Sequence, residues 1–147
     1  MKIPLKICIL FLVVALLAAP TVSAKKTNEY TARPSIGNAS EITISVTDSV
    51  SQGETNRHSF SVGNGVNWLE VLHNWQNPGD SLTLTIYTPK GVNVGTFHDI
   101  DDGATDGKIH IDIVPNNGYV ESGTWVFDVY GESVATQRTY NLNLFSH

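Results

Sequence analysis

SLTLTIYTPKG, from Ser81 to Gly91, decides the fold of this chain. Leu82, Leu84 and Ile86 point one way along it, and Thr83, Thr85 and Tyr87 point the other. A period of two with one apolar face is the signature of a half-buried antiparallel strand. Pro89-Lys90-Gly91 then supplies turn chemistry. A second run, GTWVFDVYG from Gly123 to Gly131, repeats the pattern, with Trp125, Phe127 and Val129 opposite Val126, Asp128 and Tyr130.

Outward from these two runs, turn signals recur every eight to twelve residues, the spacing of an all-β domain. Ile42, Ile44 and Val46 alternate in a first strand, and His58, Phe60 and Val62 mark a second. Leu69, Val71, His73 and Trp75 share a face of a third, closed by Asn77-Pro78-Gly79-Asp80. After the Leu82 strand come a short one from Val92 to Phe97, one carrying Ile109, Ile111 and Ile113, the Trp125 strand, and a last with Tyr140, Leu142 and Leu144 in phase. No segment carries a helical period. About eight strands of this spacing predict an antiparallel β-sandwich of jelly-roll type, with a short barrel as the alternative. Ile44, Phe60, Val71, Leu84, Ile86, Ile111, Trp125, Phe127 and Leu142 are its expected inward residues.

The two runs together resemble the pre-peptidase C-terminal domain family, β-sandwich modules of secreted archaeal and bacterial proteins. The family pattern is an alternating Leu-x-Leu-x-Ile-Tyr strand, a Pro-x-Gly turn, and later Gly-Thr-aromatic-x-aromatic-x-Val-Tyr-Gly. Both stand here almost unbroken, and the resemblance extends from about Ser40 to Phe145. It implies a non-catalytic accessory module that accompanies a peptidase or other large domain. One departure is visible: His73 occupies an inward place where the family carries an aliphatic residue.

Lys2 and Lys6 precede an uninterrupted apolar run from Ile7 to Ala19, and Val22-Ser23-Ala24 fits a small-x-small cleavage site. Residues 1–24 are therefore expected to be a signal peptide; the apolar run is too short for a comfortable span of ~20 residues. The lone cysteine, Cys8, leaves with it. Residues 25–39, polar and without period, are expected as a flexible leader, and residues 40–147 as the domain. Removal of Lys2 and Lys6 leaves seven basic residues against fourteen acids, a net charge of −7. Such a balance disfavours nucleic acid and anionic membrane surfaces as partners. It suits a secreted or envelope-associated domain with no membrane span after signal removal.

One dense polar constellation stands out, His98-Asp99-Ile100-Asp101-Asp102-Gly103-Ala104-Thr105-Asp106-Gly107. Four carboxylates in so short a stretch repel one another unless solvated or neutralised, and Ca²⁺ favours flexible Asp/Gly loops with oxygen donors. Asp101, Asp102 and Asp106, with Asp99 second, are the candidate calcium ligands; the competing reading is a solvated loop whose Asp-Gly pairs serve turn geometry. Some members of the resembled family bind calcium with an acidic segment before the first strand, where this chain has only Glu41. Zinc needs three or four converging nitrogen or sulfur ligands, and His98 and His110 lack the partners. His73 is expected to be a hydrogen-bonded core histidine.

Trp68, Tyr87 and Tyr130 fall on the outward parity of their strands and are the candidate ligand-binding aromatics, since exposed rings on a sheet face can stack on sugars. Asn38-Ala39-Ser40 is an N-glycosylation sequon. There is no Gly-x-Ser-x-Gly elbow and no Gly-rich phosphate loop. The expectation is a non-enzymatic module that binds extracellular polysaccharide, envelope or a partner protein. A small secreted hydrolase and a purely structural envelope component are the alternatives.

Overall fold

The computed structural model describes residues 23–37 and 44–147. The expected signal peptide lies almost wholly outside the described residues, as do Asn38, Glu41 and Ile42. Ten strands are described: β1 (Lys25–Lys26), β2 (Tyr30–Pro34), β3 (Ile44–Val50), β4 (Thr55–Val62), β5 (Leu69–Asn74), β6 (Ser81–Tyr87), β7 (Asn93–Phe97), β8 (Lys108–Pro115), β9 (Gly123–Ser133) and β10 (Arg138–Ser146). The one described helix is a 3₁₀ turn from Asp99 to Asp102.

β3 pairs with β10, β4 with β9, β5 with β8 and β6 with β7, all antiparallel. The pairing is nested, like one long hairpin whose tip is β6–β7. Rolled up, alternate pairs fall into alternate sheets, and the seams close as β5 against β10 and β6 against β9. The sheets that result are β1-β2-β8-β5-β10-β3 and β4-β9-β6-β7. The eight strands β3–β10 thus form the jelly roll expected from the turn spacing.

β1 and β2 are an addition. The segment expected to be a flexible leader instead extends the larger sheet, with Tyr30↔Pro115 through Pro34↔Ile111 in register. Tyr30 and Ala32 are buried. The Tyr30 ring meets Trp125 edge-on at 5.2 Å, and its hydroxyl accepts the Glu121 N–H at 3.1 Å. The alternation of Tyr30 and Ala32 with Thr31 and Arg33 spans too few residues to stand out beside Pro34 and polar flanks.

The core fills the space between the sheets. Trp125, Phe127 and Val129 of β9 face it, as do Leu82, Leu84 and Ile86 of β6 and, from the larger sheet, Val71, Ile111 and Leu142. Every expected inward residue is buried except Ile44, which packs half-buried at the edge strand. Two glycines are required by close approach. A Cβ on Gly131 would lie 2.2 Å from the Ser51 carbonyl oxygen, where the β3–β4 turn crosses β9. A Cβ on Gly107, at φ +81°, would meet the Asn77 backbone nitrogen at 2.5 Å.

Candidate functional site

The acidic loop between β7 and β8 binds itself together. Asp99, buried, accepts backbone N–H groups from Asp106 at 3.1 Å, Gly107 at 3.0 Å and Lys108 at 3.4 Å. Asp102 accepts from Ala104 at 3.2 Å and from His110 at 2.8 Å. Burial pushes the Asp102 carboxyl up, against the pull of those two hydrogen bonds. Asp101 accepts from the His98 N–H and from Lys25 Nζ. Burial would raise the Asp101 carboxyl, but these donors and the lysine charge hold it below the usual range. Asp106 pairs with Lys108 at the surface. The four carboxylates therefore serve separate donors instead of converging. Among the described residues, no group of three or more His, Cys, Asp or Glu side chains is arranged to hold a metal ion. His98 pairs with Asp101 and Glu132, whereas His110 turns to Glu70, so these two histidines do not meet across the loop.

The three candidate aromatics divide between the two outer faces. Tyr87 and Tyr130 lie on the four-stranded sheet, Tyr87 half-buried and Tyr130 exposed. Arg57 and Asp128 sit beside them as a bidentate pair, with both nitrogen–oxygen distances 2.7 Å. Trp68 immediately precedes β5 and is on the opposite sheet, half-buried, its ring stacked on His147 at 4.5 Å and 3°.

Beside Trp68 the six-stranded sheet carries an unexpected cluster. Glu70 and Asp112 are direct partners across β5 and β8, on the face turned away from the core. They are nonetheless only 2% and 3% exposed. Glu70 Oε1 accepts from His110 Nε2 at 2.7 Å and Oε2 from His147 Nε2 at 3.0 Å, so each imidazole presents its Nε2–H to the carboxylate. Asp112 Oδ2 faces Arg33 Nε at 3.5 Å, and Asp112 Oδ1 is buried with no hydrogen-bond partner. Both carboxylates line a cavity of about 400 Å³ that is bounded also by Trp68, His147, Arg33 and Ile36. The cluster combines an aromatic wall, an acidic floor and a guanidinium at the rim.

Sequence reasoning singled out Trp68 as a ring on outward parity but not the two acids beside it. The signal was there: one acid interrupts the apolar run Trp68-Leu69-Glu70-Val71-Leu72, and another interrupts Ile111-Asp112-Ile113, both on outward parity. What could not be read was that β5 and β8 would be adjacent and in a register that sets these acids opposite each other.

His73 is buried in the core as expected, but not hydrogen-bonded. Both ring nitrogens lack a partner, and the ring packs against Trp75 and Tyr140, each at 5.1 Å. Burial, with a smaller contribution from nearby His58, lowers its pKa to about 3. The imidazole is therefore neutral and serves as an aromatic core residue.

No protein-family model matches the chain, and no curated protein matches it either. Among solved structures, the Clostridium perfringens CspB protease is similar in fold, with a TM-score of 0.54 at 12% identity. The match covers 69% of this chain and 25% of the protease chain, so this chain spans well under half of the length of that neighbour. Among the described residues, no helix is long and apolar enough to cross a membrane.

Proposed function

We propose that this chain is a secreted, non-catalytic binding module of pre-peptidase C-terminal type, which engages an extracellular polymer through the cavity beside Trp68. The observation that carries the reading is the Glu70–Asp112 pair, buried on an outer sheet face and opening into a cavity with an aromatic wall. Burying two like charges opposite each other weakens a sheet. Such an arrangement suits recognition better than stability. A concave, partly apolar site with a few fixed polar groups is the usual form of a small-ligand pocket. Both Glu70 oxygens are engaged by imidazoles, which favours a fixed binding surface over proton exchange.

The family assignment rests on the two strand motifs, and the likeness in fold to part of a protease chain supports it. Export rests on the charged start, apolar run and small-residue site of residues 1–24. The test is to screen purified residues 25–147 against arrays of extracellular polysaccharides and envelope proteins, with a parallel assay for hydrolysis of the same polymers. Saturable retention on one polymer class without turnover is the expected result. Robust turnover abolished by a single His or Asp substitution would replace this reading with a hydrolase.

A further inference from the structure

We infer that the cavity beside Trp68 recognises an ammonium-bearing sugar, a hexosamine unit with a free amine, and this rests on the polymer-binding reading above. Three observations converge on that class. The first is hydrogen bonding. Three of the four oxygens of Glu70 and Asp112 face a donor or a cation, and the fourth, Asp112 Oδ1, is a buried acceptor with no partner in a side chain that lines the cavity. A buried carboxylate oxygen left unpaired is costly, so a ligand that brings a donor gains what the apo protein lacks.

The second is charge. Two buried carboxylates, Glu70 and Asp112, stand together here, with His110 and His147 both turned to Glu70 and Arg33 alone facing Asp112. An ammonium both donates to Asp112 and offsets carboxylate charge, whereas an unsubstituted hydroxyl donates without a charge of its own. The third is shape. Trp68 and His147, stacked at 4.5 Å and 3°, both line the 400 Å³ cavity. A pyranose ring lies against such a surface, and an ammonium near an indole gains cation–π attraction. A linear lysine side chain would use the acids but leave most of that volume unfilled.

The experiment is a titration of residues 25–147 followed by calorimetry and by tryptophan fluorescence. The probes are a short β-linked glucosamine oligomer, its fully N-acetylated counterpart, and oligolysine of equal length. The glucosamine oligomer is expected to bind. N-acetylation should weaken it roughly tenfold to a hundredfold, the scale of one charge-assisted hydrogen bond. Asp112→Asn should produce a similar loss for the free-amine oligomer and little change for the acetylated one; a cooperative melting transition no lower than that of the unmutated protein shows that the variant is folded. Equal affinity for the free-amine and acetylated oligomers in the unmutated protein overturns ammonium recognition while leaving the polymer reading intact. Tighter binding of oligolysine overturns the sugar as the source of the amine. Failure of every amine probe, alongside Trp68-dependent binding of another polymer, also overturns the inference but not the reading beneath it.

Discussion

Glu70 and Asp112 stand opposite each other on β5 and β8, both buried, on the side of the sheet that faces away from the core. Outward strand positions are normally where a sandwich places its solvated polar residues. Here the two acids are covered by His110, His147 and Arg33, which hold three of their four oxygens.

Phe127 fills the centre of the sandwich, fully buried and with its ring 5.3 Å from Phe60. Phe127→Ala should cost about 3–5 kcal/mol through lost transfer energy and the cavity left behind. Urea unfolding should show a lower midpoint with an unchanged slope.

His73 is a place where an apolar residue would do better. Replacing a buried group whose polar atoms are unpaired removes a penalty of about 1–3 kcal/mol. His73→Leu should therefore be neutral to stabilising at pH 7. The pH dependence has a definite sign. The native imidazole resists protonation, with a pKa of about 3 against 6.5 for the ordinary group, so the unfolded chain binds the extra proton. This contribution is present above pH 6.5 and is lost as the pH falls toward 3. Melting curves across that window should be flatter for His73→Leu than for the natural chain.

Tyr140 gives the opposite limb. Burial pushes its hydroxyl up to about 12, although the hydrogen bond from Asn56 pulls it down, and His58 Nε2 lies 2.8 Å away. A phenol held neutral in the native state stabilises the fold below pH 10, and that contribution disappears as the pH rises through 12. Tyr140→Phe should lose about 1 kcal/mol at neutral pH from the broken hydrogen bonds. It should also show a shallower decline in stability between pH 10 and 12.

Asp99 is the structural acid of its loop, and Asp106 is not. Asp99→Ala strands three backbone donors and should cost roughly 2–4 kcal/mol. Asp106→Ala removes only a surface pair with Lys108 and should change stability by about 0.5 kcal/mol or less. Because each loop carboxylate already serves its own donor, millimolar calcium should leave the melting temperature where chelator leaves it.

The inward faces were legible in the sequence because burial imposes a strict alternation: Leu82, Leu84 and Ile86 could not all be inward in any other register. Trp68 was legible by the same rule, as a ring out of phase with its apolar neighbours. β2 was not, because Tyr30 and Ala32 are only two inward positions and their value depends on Trp125, far away in the chain. How the loop acids are used was not legible, because proximity in sequence says nothing about direction. Asp99 and Asp102 turn toward backbone N–H groups, while Asp101 meets Lys25 from the segment taken for a leader. Glu70 and Asp112 are separated by more than forty residues, and only the nested pairing of the roll makes them neighbours.

The proposed recognition surface is the six-stranded sheet beside Trp68 and not the four-stranded sheet that carries Tyr87 and Tyr130. The most direct measurement is the affinity of residues 25–147 for whichever polymer retains them, compared between Trp68→Ala and the double variant Tyr87→Ala with Tyr130→Ala. Trp68→Ala should lose at least tenfold in affinity, the scale of one stacked aromatic contact, and the double variant should keep near-natural affinity. Retained affinity in a folded Trp68→Ala protein, with loss in the tyrosine variant, would place the site on the other sheet and contradict this assignment.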